Sequence, residues 1–335
     1  MIHIAVDGMG GDYAPKEQIE GVYKALKSFD DIHITVYGEY DKMAPYLKGE
    51  HPRLSFVETH GVIAMGEKDP IGAIRKNRKS SMAMALKAVK DGTHAACVSS
   101  GATQALIAGA HILIGRMKGI KRTAIAPVLP TTDPKKPFIL IDSGANVEIK
   151  AEYMVQQAYF ATVYAREVLG VKDPTVGLIN IGTEEGKGRL LDTQVASLLK
   201  THDAISFYGN VEPKDVLNPP CDVLLSDGFT ANIVMKTIEG TAKGMGTILK
   251  EELSRGILGK LGLVLSIGNL KRFRKRLDPS EIGGAMIYGL DGVLIKAQGA
   301  SKANGFYNGI RQARNVVRQD VLGKVKTIIE ADSPA

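Results

Sequence analysis

Short apolar runs ending in glycine, serine, asparagine or aspartate recur along the chain, with amphipathic stretches between them. Ile2–Val6 runs into Asp7-Gly8, Ile32–Tyr37 into Gly38, and Ala95–Val98 into Ser99-Ser100-Gly101. Phe138–Ile141 runs into Asp142-Ser143-Gly144, Thr175–Ile179 into Asn180-Ile181-Gly182, and Ile205–Tyr208 into Gly209-Asn210. Asp222–Leu225 runs into Ser226-Asp227-Gly228, and Gly292–Ile295 leads towards Gln298-Gly299. Helical patterns fall between them, at about Lys16–Ser28, Ser81–Lys90, Ala102–Leu113, Ala151–Leu169, Asp192–Lys200, Asn232–Leu253 and Asn304–Gln319. Apolar strands alternating with helices predict an α/β protein with a mostly parallel sheet covered on both faces. Ligands of such folds sit beyond the carboxyl ends of the strands, where the polar and glycine-rich residues collect here. A glycine after a strand is also an ordinary turn, so these ends locate a cleft without assigning its chemistry.

Thr131–Pro137 and the turn Gly170–Pro174 act as punctuation. They divide the chain into a main domain of 1–145 plus 285–335 and a second domain of 146–284 inserted between them. The helix Asn232–Leu253 carries Met235, Ile238, Ala242, Met245, Leu249 and Leu253 along one face. It delivers the chain to Leu258–Arg276, whose first part, including Leu261, Leu263, Val264, Leu265 and Ile267, is almost free of charge. Lys271, Arg272 and the residues up to Arg276 then place five positive charges around Phe273. Such a segment fits an anionic membrane surface. It also fits a buried core or dimer contact followed by a solvated basic end, and nucleic acid is a third reading. Its apolar run is too short to span a bilayer, so any membrane contact is peripheral.

A net charge of +7 favours anionic partners without choosing among them. Sparse aromatics, without tryptophan, offer no stacking platform for single-stranded nucleic acid. A second basic patch, Lys68, Arg75, Lys76, Arg78 and Lys79, reads equally as a solvated face. Cys97 and Cys221 form no disulfide framework, and no Cys or His spacing suits zinc, so a reducing cytoplasmic setting without a resident metal is expected. The chain opens directly on a strand, and no signal peptide is expected. There is no GxSxG elbow and no P-loop lysine, which argues against a serine triad and against ATP.

Six polar constellations remain. In Asp7-Gly8-Met9-Gly10-Gly11-Asp12, the glycines permit close backbone approach to a ligand, though the spacing is not that of a dinucleotide fingerprint. Ser99, Ser100, Gly101 and Thr103 sit at a strand-to-helix turn, where free amides and hydroxyls favour an anion; an ordinary helix cap is the alternative. Asp142–Asn146 forms the third constellation, and Asn180–Gly188, with Lys187 between two glycines, the fourth. Lys187 has the reach to neutralise a phosphoryl group or a thioester oxygen. Tyr208–Glu212 contains Asn210 and Glu212, and Ser226–Asn232 contains Asp227, a candidate proton acceptor, and Asn232, a candidate amide donor.

Taken in order, Asp7–Asp12, Asp142–Asn146 with Glu148, Val176–Glu184 with Lys187-Gly188, Tyr208–Glu212, Asp227-Gly228-Phe229 with Asn232, Lys236-Thr237, Glu239-Gly240 and Gly283-Gly284-Ala285 resemble the bacterial phosphate acyltransferase (PlsX) family. The resemblance covers nearly the whole chain. It implies transfer of a long-chain fatty acyl group from acyl carrier protein to inorganic phosphate, without a cofactor, the acyl phosphate passing to a glycerol-3-phosphate acyltransferase in phospholipid synthesis. It further implies a three-layer α/β/α fold like that of isocitrate and isopropylmalate dehydrogenases, and a homodimer attached to the anionic membrane surface through the Leu261–Arg272 region. Nucleic acid drops out as a partner. On this reading Lys187, Asn210, Asp227 and Asn232 carry the chemistry. Asp7, Gly10, Gly11, Ser99, Ser100, Gly101, Thr103, Asn146, Asn180 and Glu212 line the phosphate and substrate site. The chain departs from the family pattern at Ala102, where asparagine is usual, at Gln104 in place of glycine, and at Gln298 in place of histidine.

Overall fold

The computed structural model describes residues 1–276 and 278–332. The final residues assigned above to the main domain, 333–335, lie outside the described residues. The elements follow in chain order: β1 (Ile2–Asp7), α1 (Lys16–Ser28), β2 (Ile32–Gly38), α2 (Tyr40–Met43), β3 (Leu54–Glu58), α3 (Pro70–Lys76), α4 (Ser81–Lys90), β4 (Ala96–Ser99), α5 (Thr103–Leu113), β5 (Ala124–Leu129), β6 (Phe138–Ile141) and α6 (Ala151–Glu167). Then come β7 (Thr175–Ile179), α7 (Leu190–Thr201), β8 (Ser206–Val211), β9 (Val223–Leu225), α8 (Gly228–Leu253), α9 (Gly256–Arg276), β10 (Ala285–Tyr288), β11 (Val293–Lys296), α10 (Ala303–Arg318) and α11 (Val321–Asp332).

Among the described residues, all eleven strands join one sheet in the order β3-β2-β1-β4-β11-β10-β5-β6-β9-β7-β8. The pairs from β3 to β11 are parallel, as are those from β6 to β8. Between these wings, β11–β10, β10–β5 and β5–β6 are antiparallel. Three reversals leave the strands of the second wing running opposite to those of the first. The carboxyl ends therefore form two polar rims, one for each wing, where the strand pattern alone suggests one. The seam strands β5 and β10 are absent from the pattern read above. Pro127 lies inside β5, and a proline in a run argues against a strand because it donates no ladder hydrogen bond.

One face of the sheet buries Ile4, Val6, Val98 and Ile295 in the first wing and Ile139, Val176 and Val223 in the second, beneath α1, α10, α6, α7 and α11. The other face packs Ala5, Cys97 and Leu294 against α3, α4 and α5, and Leu140, Leu224 and Ile179 against α8. Only the start of α8, through Gly228, Ala231 and Val234, is buried. The rest leaves the body and pairs with α9, which forms one continuous helix. At 1.5 Å per residue, α8 and α9 are roughly 40 and 30 Å long. Among the described residues, no helix is long and apolar enough to cross a membrane.

Candidate active site

The first rim is built around Asp7, which ends β1 fully buried. Its Oδ1 accepts the Ser81 hydroxyl at 2.6 Å and the Met9 amide at 3.3 Å; its Oδ2 accepts the Ser99 hydroxyl at 2.6 Å. Burial pushes the carboxyl above its ordinary range, against the pull of both serines and the Met9 and Gly10 amides. The following glycine loop lies against the turn between β4 and α5. A Cβ at Gly10 would stand 2.5 Å from Asp7 Oδ2 and 2.7 Å from the Gly101 amide nitrogen, so only glycine fits there. The Ser100 hydroxyl and Gln18 Nε2 both donate to the Gly10 carbonyl, at 2.8 and 2.7 Å. Ala102 caps α5 and has no side-chain oxygen to accept the first-turn amides, so Thr103 opens a helix whose donors face the rim uncapped.

The structure thus gathers Asp7, Gly10, Gly11, Ser99, Ser100, Gly101 and Thr103 at one place. It adds Lys296, which pairs in register with Ser99 and is missing from the sequence reading. A lysine closing the apolar run Val293–Lys296 reads as a strand end reaching solvent, yet Lys296 is buried. Burial lowers its pKa to about 8, against the opposing pull of Asp12 and Asp7.

At the second rim, buried aspartates follow β6 and β9. Asp142 braces its own turn: Oδ1 accepts the amides of Ile125, Gly144 and Ala145 at 3.0, 3.2 and 2.9 Å, and Oδ2 accepts the Asn146 amide and side chain at 2.8 and 2.7 Å. The Asn146 carbonyl accepts the Gly228 amide at 2.7 Å, tying this turn to the start of α8. Gly144, at φ +127°, brings its backbone against the Asn232 side chain. Asp227 caps α8 by accepting the Phe229 and Thr230 amides at 3.1 and 3.0 Å, and it is ion-paired with Arg189. Burial pushes this carboxyl up, but Arg189 and Thr230 pull harder and hold it below the usual value. Its oxygens are occupied as acceptors, and Arg189, which the sequence reading passed over, also clasps Asp192.

Lys187 is exposed, and its carbonyl accepts the Asn180 side chain at 2.9 Å. Asn210 donates to the Glu184 carbonyl at 2.9 Å while its buried Oδ1 has no partner. Lys187, Asn210, Tyr208 and Asp192 line a cleft of ≈ 380 Å³. Glu212 stands apart, paired with Lys214. Among the described residues, no hydrogen bond or ion pair joins the two rims. The thiols offer no nucleophile: burial pushes Cys97 well up and Cys221 to about 12.

Along α9, Ile257, Leu258, Leu261, Val264 and Leu265 recur at helical spacing as one exposed apolar stripe, with Ile267 exposed beside it. Leu263 is half-buried; Lys271 and Arg272 are exposed.

A family model described as fatty acid synthesis protein matches residues 2–324. The chain is 53% identical over 332 residues to a phosphate acyltransferase of Acholeplasma laidlawii, covering 98% of each chain. It is 41% identical over 327 residues to a phosphate acyltransferase of a Geobacillus species, again covering 98% of each. In fold it is similar to a phosphotransacetylase from Streptococcus pyogenes, with a TM-score of 0.60 at 14% identity over 94% of both chains. It is likewise similar to a branched-chain phosphotransacylase from Enterococcus faecalis, with a TM-score of 0.59 at 15% identity over 95% of this chain and 99% of that one. These likenesses correct the expected dehydrogenase-like fold: the architecture is that of the phosphotransacetylases. Alternating strands and helices predict layers, but the antiparallel seam that distinguishes one layered fold from another is a long-range pairing.

Proposed function

The chain belongs to the fatty acid synthesis protein family, and from that premise we propose its reaction: it is a phosphate acyltransferase, moving an acyl group onto phosphate in lipid biosynthesis. The donor is a long-chain acyl thioester of acyl carrier protein and the product an acyl phosphate, passed to a glycerol-3-phosphate acyltransferase. The observation that carries this reading is the uncapped start of α5 at the first rim, whose free amides suit a phosphate dianion, while the Ser99 and Ser100 hydroxyls hold Asp7 and the Gly10 carbonyl in place around it. Phosphate is itself the nucleophile. Its oxygen attacks the thioester carbon, a C–O bond forms, the C–S bond breaks, and the thiolate takes the proton released. The enzyme's task is to hold both reactants and to stabilise the tetrahedral oxyanion.

In this assignment Asp7, Gly10, Gly11, Ser99, Ser100, Gly101 and Thr103 shape the phosphate site. Lys187 and Asn210 face the thioester from the second rim, and Asn232, Asn146 and Asn180 shape its approach, with Glu212, paired with Lys214, outside it. Asp227 acts by holding Arg189 and the start of α8. A net charge of +7 steers the acidic carrier protein. The α8–α9 hairpin serves as a dimer contact and as a peripheral attachment to anionic membrane, its apolar stripe entering the headgroup layer above Lys271 and Arg272.

The test is a mass-spectrometric assay with palmitoyl-acyl carrier protein and inorganic phosphate. Palmitoyl phosphate formed in proportion to enzyme, and absent without phosphate, is the expected result. A folded protein that makes acyl phosphate only from short-chain acyl-CoA overturns the donor assignment, and one that makes none overturns the reaction. For the hairpin, Leu265→Asp is expected to lower cosedimentation with phosphatidylglycerol vesicles while turnover on soluble donor persists. Undiminished vesicle binding removes α9 from the membrane.

A further inference from the structure

Lys296 is 8% exposed at the end of β11. Side chains two residues apart on a strand share a face. Ala5, Cys97 and Leu294 pack against the α3–α5 layer, so Asp7, Ser99 and Lys296, two residues on in each strand, point to that same side at the rim. Ser81, which donates to Asp7, opens α4, and Thr103 opens α5. The positive ends of two helices and a lysine thus converge where one buried carboxylate is already engaged by two hydroxyls.

The lysine is underused. An ammonium has three donors, and Lys296 Nζ has one acceptor, the Ala297 carbonyl at 2.6 Å. Among the described residues no carboxylate lies within ion-pair distance of it, and Asp7 and Asp12 are the charged groups that act on it from further away. A buried ammonium without an ion partner is unfavourable unless an anion arrives to complete it. We propose that Lys296 is the cation of the acceptor site, its free N–H groups binding inorganic phosphate at the rim formed by Ser99, Ser100 and the start of α5. The identity of the anion rests on the acyltransfer reading; the presence of an anion site does not. A bound dianion raises the lysine's pKa, so the free enzyme, with that value near 8, binds phosphate best below it.

The experiment is calorimetric titration of the full chain with inorganic phosphate at pH of about 7 and about 9.5, either side of that value, for wild type, Lys296→Met and Lys296→Arg. Loss of charge-assisted hydrogen bonds is expected to weaken phosphate binding about tenfold to a hundredfold in Lys296→Met. Lys296→Arg is expected to restore part of the affinity and to abolish its decline at high pH, since arginine stays charged. A merely structural lysine moves neither the pH profile nor the arginine rescue. Unchanged phosphate affinity in Lys296→Met overturns the assignment, as does the same high-pH decline in Lys296→Arg. If Lys296→Met does not fold, the comparison of wild type with Lys296→Arg still decides. Lys296-dependent phosphate binding without acyl phosphate formation upholds the site and sinks the acyltransfer reading. Acyl phosphate formation with an unaltered phosphate KM in Lys296→Met does the reverse.

Discussion

The two rims of the sheet use the same residue differently. At the first, Asp7 accepts two hydroxyls and an amide and stands in a row with a lysine whose donors are mostly unmet. At the second, Asp142 accepts five N–H groups, four of them from backbone, and Asp227 is filled by an arginine and a helix start. Burial dominates at Asp7 and at Asp142 and raises both carboxyls, whereas Arg189 and Thr230 outweigh burial at Asp227. An aspartate at a strand end is therefore a brace when backbone amides converge on it. It becomes part of a polarised site when its partners are hydroxyls and a nearby charge is left incomplete.

Removing the brace should have the largest effect. Asp142→Ala strands several buried amides and is expected to lower stability by about 3–5 kcal/mol. Urea unfolding of the variant reads this directly. A variant as stable as wild type but inactive would make Asp142 a site residue and erase the contrast. Lys296→Met should move the other way. Holding an ammonium at about 8 instead of 10.5 corresponds to about 3 kcal/mol of destabilisation at neutral pH. Because the folded value is depressed, the unfolded chain binds the extra proton between pH 8 and 10.5, and wild-type stability rises across that window. The variant is accordingly expected to be more stable at pH about 7, with an advantage that shrinks above the folded value. A less stable variant at neutral pH would mean that Lys296 is structurally paired.

Lys187→Ala tests the exposed side of the second rim. Loss of one cation at a developing oxyanion is expected to lower turnover about 100-fold. Its unfolding free energy should stay within about 0.5 kcal/mol of wild type, because an exposed side chain is removed. Unchanged turnover would take Lys187 out of the chemistry. The smallest effect belongs to the Arg189–Asp227 clasp. Arg189 is 53% exposed at its side chain, so solvent screening leaves Arg189→Ala costing about 1 kcal/mol. The depressed Asp227 value means that this stability is present above the ordinary carboxylate value of 3.8 and is lost as pH falls through the lower folded one. Thermal melts of wild type and Arg189→Ala that converge in strong acid would bear this out; a gap unchanged with pH would assign the effect to packing.

Much of the fold was legible because its signals are local. Asp7-Gly8, Ser99-Ser100-Gly101 and Asp142-Ser143-Gly144 mark strand ends wherever those strands go, and the apolar runs before them specify buried strands whatever their neighbours. The α8 helix was readable from Asn232 to Leu253, although it starts earlier, at Gly228, because Asp227 caps it. The α9 helix was less plain: Ile257, Leu258, Leu261, Val264 and Leu265 keep helical spacing, but Gly256, Gly259, Gly262 and Gly268 interrupt the pattern with residues of low helix propensity. Within the site, Gly10 and Ser99 announced themselves by residue type. Lys296 and Arg189 did not: a lysine ending a strand looks solvated, and an arginine before a helix looks like an ordinary surface charge.

By itself the sequence determined the layered α/β class, the glycine and hydroxyl turns and the apolar and basic character of Leu258–Arg276, because each depends on residues near one another in the chain. Only the tertiary structure decided that the wings run in opposite senses across β10 and β5, which polar turns share a rim, and that Lys296 is buried beside Ser99. Those outcomes depend on pairings between residues far apart in sequence, such as Lys296 with Ser99 and Ala285 with Pro127, and on what packs over them. Burial then sets the energies: the same ammonium would be an unremarked surface charge in water and is an incomplete ion inside the rim.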